Sequence, residues 1–324
     1  LTPLHPLIRH NQLQRSIIEC AGYEARHDNS GKGTIPVDNL VFACVSPHGA
    51  LVIPLVSGSE GAKARAGQAG MEELRRRMEA ARPETIVILE THSIQVDGAI
   101  ALLDSAQVRG ELGAPHTVVP PEAAGHYFSL TFDVDRELNV AIMDAACAAN
   151  VPVVRVRHFL ETTPLKIEWG SLIPLWYLGA TLIPQPKVVI AGVAFPRNQI
   201  SREAYIDLGR ALHTVIAASG KRVAVIISTD LAHTHEASGR YGFDPAAAEC
   251  DAALLEVVRA NALERLLDFD EDWVDRAKNE AIRPLLTLHG LLEGTGSQVD
   301  LLSYEAPTYY GMMCAAYDQL RSDA

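Results

Sequence analysis

Short apolar runs alternate along this chain with longer stretches of helical period. Residues 40–45, 85–89, 151–156, 187–192 and 222–227 are each rich in Val, Ile, Leu or Ala. Runs of that length without strict polar alternation predict strands buried on both faces. Between them, residues 70–81, 135–149, 202–219, 245–261 and 273–294 carry apolar positions at three- and four-residue spacing, which predicts helices. A last strand is expected near residues 299–304, and residues 12–21 suit a helix ahead of the loop-like stretch 27–33, HDNSGKG. Strands alternating with helices predict an α/β fold. The expectation is one domain, residues 39–324, with a central, mostly parallel mixed sheet flanked by helices on both faces. Residues 1–38 have mixed character and are read as an N-terminal arm.

Composition narrows the classes. The 324 residues are 48% hydrophobic and 21% charged, as in an ordinary soluble globular protein. A net charge of -12 argues against a nucleic-acid partner, because phosphate binding needs clustered Lys and Arg. The basic triplet Arg75-Arg76-Arg77 sits among Glu72, Glu73 and Glu79 and reads as a solvated helix face. No apolar run reaches the roughly 18 residues of a membrane span. The start, LTPLHPLIRHNQ, lacks the pattern of a signal peptide. Cys20, Cys44, Cys147, Cys250 and Cys314 show no CxxC spacing, so a reducing cytoplasm is the expected setting.

The chemistry is carried by histidines at strand ends. The run 40–45 stops on Ser46-Pro47-His48-Gly49. Proline cannot extend a central ladder and glycine tolerates tight geometry, so His48 is presented where the strand ends. The run 85–89 leads into Glu90-Thr91-His92, and 222–227 into Ser228-Thr229-Asp230-Leu231-Ala232-His233-Thr234-His235. In a parallel sheet the strand C-termini share one edge, where these imidazoles can meet in a cleft. Three unrelated loop histidines are the plain alternative in a chain with twelve. Two imidazoles and a carboxylate suit non-haem Fe(II), and they also suit zinc with a water in its fourth position. The pattern does not choose between them.

These stretches resemble the LigB-like class III extradiol ring-cleaving dioxygenases. Residues 228–233 are similar to that family's S-G-D-L-S-H motif. Glu168-Trp169-Gly170-Ser171-Leu172-Ile173-Pro174-Leu175 resembles its D-H-G-x-x-x-P-L segment. Asp135-Arg136-Glu137-Leu138 opens a helix leading to Val151-Pro152-Val153, and Asn279-Glu280-Ala281-Ile282-Arg283-Pro284 stands near the family's ligand glutamate. The resemblance spans roughly residues 40 to 318. It implies His48, His92 and Glu280 as metal ligands, with Glu249 the rival carboxylate. It implies His233 as the general acid/base, a role its pKa range suits. Trp169 stands where the family has histidine and is expected, with His126 and His235, to line the substrate cleft.

The implied function is an Fe(II)-dependent dioxygenase with O2 as co-substrate, opening a catechol- or aminophenol-type ring. Aminophenol-type enzymes would tolerate Trp169 better than strict catechol enzymes. The implied partners are a small aromatic substrate and further copies of the chain, as a dimer or larger homo-oligomer, with a small partner subunit also possible. Two alternatives share the scaffold. A Memo-like metal-binding protein would call for a cysteine as third ligand, and none lies near Glu280. A zinc-dependent hydrolase would use the same ligands.

Overall fold

The computed structural model describes residues 39–112, 128–193 and 199–318. The strands are β1 (Leu40–Ser46), β2 (Thr85–Glu90), β3 (Ile100–Leu103), β4 (Gln107–Leu112), β5 (Phe128–Asp133), β6 (Val153–Val156), β7 (Leu165–Lys166), β8 (Lys187–Gly192), β9 (Val223–Ser228), β10 (Gln298–Glu305) and β11 (Met312–Asp318). The helices are α1 (Pro54–Ser57), α2 (Arg65–Ala81), α3 (Arg136–Ala148), α4 (Trp169–Leu178), α5 (Arg202–Ala218), α6 (Ala246–Arg259), α7 (Glu271–Ala277) and α8 (Ile282–Leu292).

Eight strands form the main sheet in the order β10-β11-β1-β9-β2-β8-β3-β6, and β5-β4-β7 form a small second sheet. The neighbours β1, β9, β2 and β8 are parallel, as are β3 and β6. The pairings of β11 with β1 and β10, and of β3 with β8, are antiparallel. The α/β class and the mostly parallel mixed sheet are therefore as expected. Alternate residues of the central strands sort into two cores. Val87, Leu89, Val225 and Ile227 pack with residues of α3, α5, α6 and α8. Ile86, Ile88, Ala224 and Ile226 pack with Met71, Leu74 and Met78 of α2 and with Leu172 and Leu175 of α4. Both faces are covered, which explains why these strands read as continuous apolar runs.

The α5–α8 contact brings two backbones together. A Cβ on Gly209 would collide with the Thr287 carbonyl, and one on Gly290 with the Ile206 carbonyl. Glycine at both positions is what allows α8 to lie so close.

Register fixes the floor of the site. Ser228 at the end of β9 pairs with Ser46 on one side and Glu90 on the other. His48, Asp230 and His92 each follow that row by two residues. Three loops thus leave adjacent strands side by side.

The structure corrects the single helix expected over residues 273–294. The chain forms α7 and α8, broken at Lys278, which adopts a left-handed conformation with φ of 52°. Pro284 explains the restart. Its missing N–H falls in the first turn of α8, where no intrahelical partner exists. The link 278–281 carries Glu280. Strand β11 lies beyond the strands expected from the pattern, because MMCAAYD has little of the β-branched character that marks a strand. Helix α2 begins at Arg65, earlier than residue 70. The arm 1–38 and the helix expected at 12–21 lie outside the described residues.

Candidate metal centre

His48 is set by its neighbours on both sides of the peptide. Its backbone N–H donates to Asp230 Oδ1 at 3.1 Å, and its Nδ1 lies 3.0 Å from Ser228 Oγ. Ser228 Oγ donates its single hydrogen to the Gly170 carbonyl. It can only accept from His48, so the neutral ring carries its proton on Nδ1 and turns a bare Nε2 inward. Gly49 is required here: a Cβ would sit 2.5 Å from the Tyr310 ring.

The three expected ligands converge. His48 Nε2 is 3.0 Å from Glu280 Oε1, and His92 Nε2 is 3.3 Å from Glu280 Oε2. Their rings meet edge to face, with centroids 4.7 Å apart. The donor atoms of His48, His92 and Glu280 all lie within 4.8 Å of one another. His48 and Glu280 are buried, while His92 is partly open to solvent. His48 Nε2 and Glu280 Oε2 are buried atoms that meet their neighbours only in these ion-pair contacts, outside good hydrogen-bond geometry. Buried polar atoms nearly always make well-formed hydrogen bonds, so donor atoms that converge without them fit a cation held between the three side chains. Two imidazoles and one carboxylate suit Fe(II) or zinc.

His233 faces the same pocket from the loop after β9. Its Nδ1 lies 2.8 Å from the Leu231 carbonyl and 3.1 Å from that of Lys278. Two acceptors at Nδ1 place the proton there and make Nε2 the basic atom of the neutral ring. One ring nitrogen lies within 4.8 Å of carboxylate oxygens of Asp230 and Glu280.

Charge is concentrated and desolvated. Burial alone would lower His48, but the Asp230 and Glu280 carboxylates raise it to about 9. Burial pushes Glu280 up, yet the two histidines hold it well below the usual carboxylate range. Asp230 is raised, first by burial and then by the Glu280 charge. Burial likewise raises Glu90, whose Oε2 accepts from the His92 backbone N–H at 2.7 Å.

An aromatic rim surrounds these groups. Trp169 opens α4 and lies over His92, with centroids 4.8 Å apart. Tyr310 stacks on His233 at 5.8 Å, with Tyr309 at 6.0 Å and Tyr241 at 6.2 Å. His235 turns instead to Asp251, its Nε2 2.9 Å from Oδ2. Glu249 is an exposed residue of α6 and is not among the converging donors. His126 lies outside the described residues. Asp230, Glu90, Tyr309 and Tyr310 were not singled out from the sequence. The pair Tyr309-Tyr310, between Pro307 and Gly311 ahead of the last strand, was the available signal.

Fold and site together define an α/β protein with a two-histidine, one-carboxylate pocket at the C-terminal edge of parallel strands. The family model described as the catalytic LigB subunit of aromatic ring-opening dioxygenase matches residues 42–314, and the chain belongs to that family. Protein CA_C1420 of Clostridium acetobutylicum is 24% identical over 275 residues, which cover 82% of this chain. The match spans only 55% of that relative's length. The crystal structure of the uncharacterized protein JW3007 from Escherichia coli K12 shares the fold, with a TM-score of 0.50 and 13% identity, covering 76% of this chain and 91% of that one. Among the described residues, no helix is long and apolar enough to cross a membrane.

Proposed function

We propose that this chain is an Fe(II)-dependent extradiol dioxygenase that adds both atoms of O2 to a catechol- or aminophenol-type ring. The observation that carries this reading is the convergence of buried His48 Nε2 and Glu280 with the half-buried His92 Nε2, with His233 beside them. A carboxylate in the third position favours it over a Memo-like site, which would call for a cysteine there.

His48, His92 and Glu280 would hold the metal. Fe(II) bound there would supply open coordination positions and the electron transfer that ring cleavage needs. The protein's own residues bind, orient and manage protons. The indole of Trp169, packed beside His92, and the rings of Tyr309 and Tyr310, packed beside His233, would wall the site with aromatic surface suited to an aromatic substrate. His233 Nε2 takes the proton that the bound ring hydroxyl or amine gives up. The carbonyls of Leu231 and Lys278 stabilise the imidazolium through Nδ1–H and hold the ring in place. His233 then returns the proton as the ring opens.

The test is anaerobic loading with Fe(II), metal analysis, and oxygen uptake against a panel of catechols and 2-aminophenols. About one iron per chain, with oxygen consumed and a yellow ring-opened product, is expected. Glu280→Ala should lose both iron and uptake. Tight zinc with no uptake across the panel would overturn the proposal in favour of a hydrolase.

A further inference from the structure

Asp251 is a carboxylate with no exposure, in the middle of α6, and no part of the proposed mechanism uses it. Burying a charge is costly unless it is fully hydrogen-bonded. Asp251 meets that condition with four donors. Its Oδ1 accepts from the Ala232 backbone N–H at 2.9 Å and from Asn279 Nδ2 at 3.2 Å. Its Oδ2 lies 2.9 Å from both His235 Nε2 and the Tyr304 hydroxyl.

The donors come from the segments that build the metal centre. Ala232 precedes His233, and His235 follows it by two residues. Asn279 precedes Glu280, and its Oδ1 accepts from the Ala281 N–H at 2.9 Å, so Asn279 brackets the glutamate from both sides. Tyr304 stands on β10 and anchors the clamp to the sheet. The link 278–281 has no helix or strand of its own to fix it.

We propose that Asp251 is a positioning residue for the metal centre. Its carboxylate ties the His233 loop to the Glu280 link and so sets where the glutamate stands relative to His48 and His92. The inference rests on the metal reading of that triad. Residues that orient ligands without touching the metal commonly change affinity by about ten- to a hundred-fold.

The experiment titrates the full chain with Co(II), reading both the dissociation constant and the visible absorption of the bound ion. Asp251→Asn keeps the size of the side chain and one acceptor oxygen but loses the charge. It should bind Co(II) about ten- to a hundred-fold more weakly, with an altered spectrum. Tyr304→Phe removes one donor without opening a cavity. It should shift affinity in the same direction by about fivefold, the worth of one ordinary hydrogen bond. Wild-type affinity and spectrum in a folded Asp251→Asn protein would overturn the inference. Should that variant not fold, the same result in Tyr304→Phe would overturn it. A wild-type chain that binds no Co(II), or binding undiminished in His92→Ala, would instead overturn the metal reading, and this inference with it.

Discussion

His233 and the two histidines of the triad, His48 and His92, are separable by mutation because they hold different partners. His233→Gln keeps a polar side chain in the pocket but cannot move a proton. It should retain metal at the wild-type level and lose about 10²- to 10⁴-fold in kcat. Metal analysis beside steady-state kinetics checks this, and loss of the metal would place His233 among the ligands. His48 gives a pH dependence. Its pKa of about 9 belongs to the metal-free protein, where burial opposes the charge but Asp230 and Glu280 outweigh it. A raised histidine stabilises the folded chain fully below its unfolded pKa of about 6.5, and that contribution is lost as pH rises towards 9. A cation must displace this proton. Calorimetry in two buffers at pH 7 should therefore show about one proton released per metal bound, and affinity should rise about tenfold per pH unit up to 9. Flat affinity over that window would contradict the assignment. His48 and His92 were legible because each ends an apolar run. Glu280 was legible only through resemblance, since nothing local marks a glutamate in a helix-like stretch as buried. Asp230 and Asp251 were not legible, because their roles arise from loops that meet only in the folded chain.

The break between α7 and α8 explains why helical periodicity misled at this point. Residues 273–294 keep an apolar stripe through the break, so pattern alone joins them. The left-handed Lys278 and the early Pro284 decide otherwise. The apolar runs that became β1, β2, β8 and β9 were plain because both faces of the sheet are covered. Strand β11 and the small sheet β4-β5-β7 were hidden: one lacks β-branched residues, and the other uses short, half-exposed strands. The α5–α8 crossing makes its own prediction. Gly290→Ala puts a methyl group against the Ile206 carbonyl, an obstacle that no side-chain rotation removes. Because α8 begins just after Glu280, displacing it should disturb the centre as well. A loss of about 1–3 kcal/mol in denaturant unfolding is expected, accompanied by weaker metal binding. Unchanged stability would mean that the two helices separate more easily than their backbone contact implies.

The triad draws its converging donor atoms from positions 48, 92 and 280, which are remote in sequence and close only in the folded chain. A cation held there would cross-link β1, β2 and the entry to α8, and would find no such site in the unfolded polypeptide. The site gathers two imidazoles and three buried carboxylates, Glu90, Asp230 and Glu280, at the edge of the main sheet. Binding should therefore appear as global stability. At a hundredfold excess over the dissociation constant, the gain is about 2.7 kcal/mol. Thermal melts should rise by several degrees with Fe(II), kept anaerobic, or with Co(II). Mg(II) at the same concentration should produce no shift, because a hard cation that prefers oxygen ligands is poorly served by two imidazoles. His92→Ala should melt near the metal-free wild type and fail to respond to either transition metal, since it loses a partly exposed ring and half of the nitrogen donors. An equal rise with Mg(II), or a full response in His92→Ala, would locate the stabilising ion elsewhere on the molecule.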